Sequence, residues 1–304
     1  MKVTHGSLII LLSLLTGLKS EKVCFSQEIK PFNFKVNFQV GVNDNFKRDT
    51  CTFSHFAFTS CLDTVFNLPL WVSHTITKEI IEKGEVRRKR PKNPDYSADP
   101  LYPSIKNDAY ASSGYDHGHM APARDFKWSK TAWNESFMMT NMSPQHACLN
   151  QKVWCHLEAH CRKWVSEYPD IIMYIVTGCL TDSFIDTLCI SNKLTVYVPE
   201  KFYKVIVTLD TITSEVRGVG FILNNEDTDN SELGDFNTTI DNVEELTGMD
   251  FFSFLPDSAE TEAEGKIADF IIEKNKLDCP NKKCSKIYFG RRKTPHERKK
   301  LHCY

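Results

Sequence analysis

Between Gly114 and Ala123 the chain reads Gly-Tyr-Asp-His-Gly-His-Met-Ala-Pro-Ala, with two imidazoles and a carboxylate set among small residues. Further on come Thr140-Asn141-Met142-Ser143-Pro144-Gln145 and then Leu149-Asn150-Gln151-Lys152-Val153-Trp154. An imidazole with an ordinary pKa of about 6.5 is largely neutral near pH 7 and can take a proton from water. An amide oxygen is a hard donor of the kind that suits Mg²⁺, an ion that keeps most of its waters and takes few protein ligands. Hydrolysis of a phosphodiester needs such a set: a base for water, a cation against the charge growing on oxygen, and groups that hold the phosphate in line.

His119 is the candidate base, with Asp116 or a nearby carbonyl to fix its tautomer. Asn150 is the candidate metal donor. Glu158 follows eight residues later and Arg162 four after that, so on one continuous helix the three fall along one side. Each residue also has a plainer reading. A lone His among glycines is usually a loop residue, an Asn at a helix start is usually a cap, and a Glu–Arg pair four apart is an ordinary helix-surface ion pair.

The elements that must position these groups can be read from the pattern. Lys106 to Ser113 is polar and turn-like, and Pro91 to Pro103 is loop. Val65 to Thr77 holds a strand-like run, and Phe137 to Thr140 reads as a short strand. Asn150 to Tyr168 reads as one helix, with Val153, Trp154, Leu157, Cys161, Trp164 and Val165 at helical spacing and Pro169 after its end. Ile171 to Gly178, Leu194 to Val198, Phe202 to Leu209 and Val216 to Leu223 read as strands. A short helix ends at Gly248. Strands on both sides of one amphipathic helix give an α+β fold with a central, mostly antiparallel sheet, which carries His119 near a strand or loop edge.

The Gly-Tyr-Asp-x-Gly-His-Met-Ala-Pro-Ala string resembles the signature of the DNA/RNA non-specific endonuclease family, the sugar-nonspecific, endonuclease G-like nucleases with a ββα-metal active site. So do Leu149-Asn150-Gln151 with its helix, the Thr177-Gly178 strand end, and Asp241-Asn242-Val243-Glu244-Glu245-Leu246-Thr247-Gly248-Met249-Asp250-Phe251-Phe252. The resemblance runs from about Pro69 to Ala268. It implies a ββα-metal motif, His119 as general base and Asn150 as ligand of Mg²⁺, with Mn²⁺ as the alternative ion. It further implies Glu158 as organiser of metal-bound water, and Arg162 and Arg88 as phosphate contacts, with Arg87 the alternative in the cluster Arg87-Arg88-Lys89-Arg90. The substrates implied are DNA and RNA cut with little sequence preference, leaving 5′-phosphate and 3′-hydroxyl ends.

The family signature has arginine where this chain has His117. Histidine is shorter and only partly protonated at pH 7. His117 either donates to phosphate or fills the space. A second reading follows from it: a nucleic-acid-binding protein on the same fold, with catalysis reduced or lost.

The rest of the chain sets the frame. Its 304 residues are 41% hydrophobic, enough to bury a large core. The net charge of −2 means that any hold on nucleic acid comes from local patches. Such patches are Arg87 to Lys92 and the tail from Lys282 to Lys300, set against the acidic stretch Glu226 to Asp235. Residues 1–20, with Lys2 and an apolar Leu8–Leu15 run, read as a secretory leader too short to span a bilayer, and no later stretch is apolar enough to span. Secretion agrees with 11 cysteines read as a disulfide framework with one left over; Cys51/Cys61, Cys179/Cys189 and Cys279/Cys284 are close enough in sequence to bridge. Asn134, Asn141 and Asn237 open glycosylation sequons, with Asn141 expected to be buried. The organisation expected is leader 1–20, a cysteine-containing N-terminal segment 21–64, a nuclease domain 65–274 and a basic, cysteine-containing tail 275–304. Oligomeric state is not legible.

Overall fold

In the computed structural model, residues 40–42, 48–84, 96–105, 110, 113–191, 194–226 and 232–268 are described. In chain order the elements are β1 (Gly41–Val42), β2 (Thr50–Ser54), β3 (Phe58–Asp63), β4 (Leu68–Ile76), α1 (Lys78–Glu82), β5 (Asp116–His119), α2 (Lys130–Glu135), β6 (Met142–Gln145), α3 (Ala147–Gln151), α4 (Val153–Glu167), β7 (Ile171–Ser191), β8 (Leu194–Asp210), β9 (Val216–Asn224), β10 (Asn237–Thr238), α5 (Ile240–Thr247), β11 (Met249–Asp250) and α6 (Asp257–Glu264). Seven strands form one sheet in the order β10-β9-β8-β7-β4-β3-β2, and every pairing in it is antiparallel.

The central strands are apolar on both sides because both faces of the sheet are covered. On β8, Phe202 and Ile206 join one core with α4, while Tyr203, Val205 and Val207 join a second with α5 and α6. The six residues that mark the helix by their spacing, from Val153 to Val165, are all buried against the first face. Each large apolar side chain so buried contributes roughly 1.5–3 kcal/mol. The result is an α+β fold with a large antiparallel sheet between two layers. Among the described residues no helix is long and apolar enough to cross a membrane.

Four expectations change. First, β2 and β3 belong to the central sheet, although they lie in the stretch expected to stand apart as residues 21–64. β3 is buried along its whole length and needs a neighbour on each side. Second, β7 and β8 are each longer than read, because register shifts between Leu180 and Phe184 let the pair bend and continue. Third, Phe137–Thr140 is no strand: Met138 makes an isolated bridge to Ser97, and a 3-10 turn covers Met139–Asn141. Fourth, Cys51, Cys61 and Cys179 are free thiols. Cys51 pairs with Leu62 across the ladder, so it and Cys61 point to opposite faces. Cys179 and Cys189 sit far apart on one strand. Cys148, Cys155 and Cys189 are disulfide-bonded.

Candidate active site

His119 does not lie on the large sheet. It ends β5, which pairs only with β6 in a separate two-stranded ribbon, His119 opposite Met142 and Asp116 opposite Gln145. Strand alternation turns His117 and His119 to one face of the ribbon and Asp116 and Gly118 to the other. The glycine is a steric necessity: a Cβ there would lie 2.3 Å from Oε1 of Gln145. The Gln145 side-chain amide is buried, and neither of its polar atoms bonds a partner.

The backbone after His119 is clamped by Asn141, which is fully buried as expected. Its Oδ1 accepts from Ala121 N at 2.9 Å, and its Nδ2 donates to the carbonyls of Ala121 at 2.9 Å and Ser136 at 2.8 Å. Rings surround the histidines. His117 stacks on Tyr96 at 4.0 Å and 13° and meets Tyr110 at 4.8 Å on another side. His119 takes the edge of Phe137 at 5.1 Å and 87°.

Asp116, on the other face, binds the metal-donor candidate. Its Oδ2 accepts from Asn150 Nδ2 and from Gln151 Nε2, each at 2.8 Å. Asn150 is therefore no helix cap. The cap of α3 is His146; Asn150 Nδ2 is held by Asp116, and no donor among the described residues bonds its Oδ1. The expected continuous helix from Asn150 is broken: Lys152, at φ −118 and ψ −98, separates α3 from α4. Asn150 and Glu158 thus share no helical phase. What brings α3 to the ribbon is Asp116, and what ties its start to the sheet is Asn225. The Asn225 Oδ1 accepts from His146 N at 2.7 Å, while its Nδ2 donates to the carbonyls of Pro144 and Pro199.

Under α4 lies a network of buried charge. Asp125 accepts from Arg162 Nη1 at 2.8 Å and from His74 Nε2 at 3.0 Å. Burial alone would raise the Asp125 carboxyl, but Arg162 and His74 outweigh it and hold it below the usual carboxylate range. Burial keeps His74 low and mostly neutral. Burial also pushes Glu158 up to about 7, against the pull of Arg162, Lys204 and Arg124. Lys204, buried in β8, donates to Thr177 Oγ1 at 2.5 Å and sits 5.0 Å from the Trp154 ring centre; burial lowers its pKa. Arg162 keeps one nitrogen, Nη2, without a partner.

Of the residues singled out from sequence, His117 and His119 share one face of the ribbon, Asn150 is joined through Asp116 to its other face, and Glu158 and Arg162 lie on α4 beside Asp125. Arg87 and Arg88 lie outside the described residues. The sequence reading missed Asp125, His74 and Lys204. Lys204 carried a signal: a charge inside an otherwise apolar strand needs a buried partner.

This geometry has close counterparts. A profile of the DNA/RNA non-specific endonucleases matches residues 35–258. The chain belongs to the DNA/RNA non-specific endonuclease family. Among its curated relatives are the mitochondrial nuclease of Saccharomyces cerevisiae, 33% identical over 219 residues, and the human mitochondrial nuclease EXOG, 31% identical over 204. These matches take in 66% and 64% of this chain, and 65% and 54% of those proteins. The chain therefore spans less than two thirds of either relative. A solved structure of the EndoG/EndoGI complex, described for EndoG inhibition, superposes at a TM-score of 0.60 and 26% identity, covering 73% of this chain and 94% of that one. Family relatives with mitochondrial names overturn the secreted location expected from residues 1–20, which lie outside the described residues.

Proposed function

We propose that this chain is a metal-dependent endonuclease that hydrolyses phosphodiester bonds in DNA and RNA with little sequence preference. The observation that carries the reading is the Asp116–Asn150 bond. It fixes the amide with its nitrogen toward Asp116 and its oxygen unclaimed by the described residues, on a helix pinned to the strand that carries His119. That donor set fits a hard divalent ion, for which we infer Mg²⁺, with Mn²⁺ the alternative. The bound ion would supply positive charge against the oxygens of the scissile phosphate.

The chain's own residues do the remaining work. His119 takes the proton of the attacking water through its imidazole. Asp116 holds Asn150 in place, and Asn141 holds the peptide that follows His119. Arg162 keeps one guanidinium nitrogen on Asp125, and its contact to a phosphate oxygen is inferred from family resemblance. Glu158 offers a carboxylate beside them. Arg88, or Arg87, adds a phosphate contact by family resemblance. His117, stacked between two tyrosine rings, supports the ribbon rather than gripping phosphate. That favours the enzyme over the alternative, a binder that lost catalysis through the exchange of arginine for His117.

A plasmid-nicking assay tests this. Mg²⁺ should convert supercoiled plasmid to nicked and linear forms, and EDTA should stop it. Binding of nucleic acid with no cleavage in either Mg²⁺ or Mn²⁺ would establish the binder instead.

A further inference from the structure

On the face of the sheet away from His119, α5 and α6 meet over β9 and bring carboxylates together. Oxygens of Asp241, Glu244 and Glu264 all lie within 4.8 Å of one another. Asp250 and Glu260 stand close by, and the charges that bear most on Glu264 are all carboxylates. The nearest base in the sequence, Lys266, is taken by Glu262 at 3.3 Å. Glu264 ends α6, whose last turn has no basic residue, so the carbonyl end of that helix adds to the negative potential.

A second observation comes from Glu264 itself. It is 7% exposed, and its Oε1 is buried without a hydrogen-bond partner. A buried, unpartnered carboxylate oxygen is costly, and an apolar residue at the end of α6 would avoid that cost. Glu244 is already oriented, since its Oε1 accepts from Phe251 N at 2.6 Å. Asp241 is exposed and opens the cluster to solvent.

We propose that Asp241, Glu244 and Glu264 form a binding site for a hard divalent cation, Ca²⁺, separate from the active site, and that the ion clamps α5 to α6. Ca²⁺ takes carboxylate oxygens in flexible geometry and completes its shell with water, which the exposed side at Asp241 admits. The inference does not depend on the catalytic reading.

The test uses the full chain carrying Asn150→Ala, so that the active-site donor is gone, and a second protein carrying Glu264→Gln as well. Each is titrated with CaCl₂ by calorimetry and melted with and without Ca²⁺. The first should bind Ca²⁺ and melt higher in its presence. The second should bind about ten-fold or more weakly and lose the Ca²⁺-dependent rise. Glu264→Gln keeps the side-chain size and removes one carboxylate ligand oxygen, so it should fold; Asp241→Asn, at an exposed position, provides the same comparison should it not. No Ca²⁺ binding in the first protein, or equal affinity in both, would overturn the site.

Discussion

The two faces of the sheet each bury acid, among different neighbours. Beneath α4, Asp125 faces Arg162 and His74, and Glu158 has Arg162, Lys204 and Arg124 near it. Asp125 is held low, and Glu158 reaches about 7. Between α5 and α6, carboxylates face one another; Glu244 rises to about 7 and Glu264 to about 9. Burial raises Glu158, Glu244 and Glu264 alike and is the largest cause for each, whereas at Asp125 the neighbouring cations outweigh it. The neighbours add to or offset that rise: cations beside Glu158 pull it down, and carboxylates beside Glu264 push it further up. The first cluster is balanced by the chain's own cations and can stay rigid under the active site. Among the described residues, no base is among the charges that bear most on Glu264 in the second.

The strongest way to separate the faces is catalytic. His119→Ala should cut the cleavage rate by about 10²–10⁴-fold while nucleic-acid binding, read by gel shift, persists. Unchanged cleavage by the purified variant would refute the base assignment. Glu264→Gln in the same assay should leave the rate within about threefold of the parent.

Next comes stability on the balanced face. Asp125→Asn leaves the Arg162 cation without its anion and should cost roughly 3–5 kcal/mol in denaturant unfolding. The sign with pH follows from the depressed carboxyl. Its contribution is present above the unfolded value of about 4 and is lost as pH falls through the lower folded value. The parent should therefore lose stability in that acid window, and the variant should lack that part of the loss. A variant as stable as the parent at pH 7 would mean that the balance described for this face does not hold it together.

Asn150→Ala should weaken the Mg²⁺ dependence of cleavage by roughly 10–100-fold. A rate loss with the same Mg²⁺ midpoint would leave Asn150 as a positioning residue only. Smaller still, Glu264→Gln replaces a buried carboxyl that must take up a proton near pH 7, and should raise the Ca²⁺-free melting midpoint by about 2–4 °C. A lower midpoint would place a hidden cation beside Glu264. The smallest effect is expected from His117→Phe, which keeps a ring between Tyr96 and Tyr110. Cleavage should stay within about threefold, and a large loss would return His117 to the phosphate.

Much of this could be read in the sequence, for local reasons. The apolar spacing from Val153 to Val165 and the runs that became β7, β8 and β9 carry their periods in the residues themselves. The Asp116–His119 and Asn150 segments were legible as motifs. What was not legible depended on distant pairing. β2 and β3 looked like a separate segment because they join the sheet only through the pairing of β3 with β4 and of β2 with β3. Asp125, His74 and Lys204 come from three separate elements, and nothing in their own neighbourhoods marks them as one network. The break at Lys152 was hidden because the apolar spacing of α4 resumes directly after it. The pairing of Asn150 with Asp116 is a tertiary contact with no periodic trace.

The break at Lys152 also bears on how this chain tolerates change in length. In an unbroken helix, one inserted residue turns everything beyond it by about 100°. Here α3 is moored by Asp116 and Asn225, and α4 by its own apolar stripe. Each segment has its own anchor, and the joint between them already departs from helical geometry. A residue added at that joint can be taken up there without swinging Asn150 off Asp116 or Glu158 out of its face. The same addition one turn into α4 would rotate Glu158 and Arg162 away from Asp125. Register errors are therefore absorbed on one side of Val153 and amplified on the other.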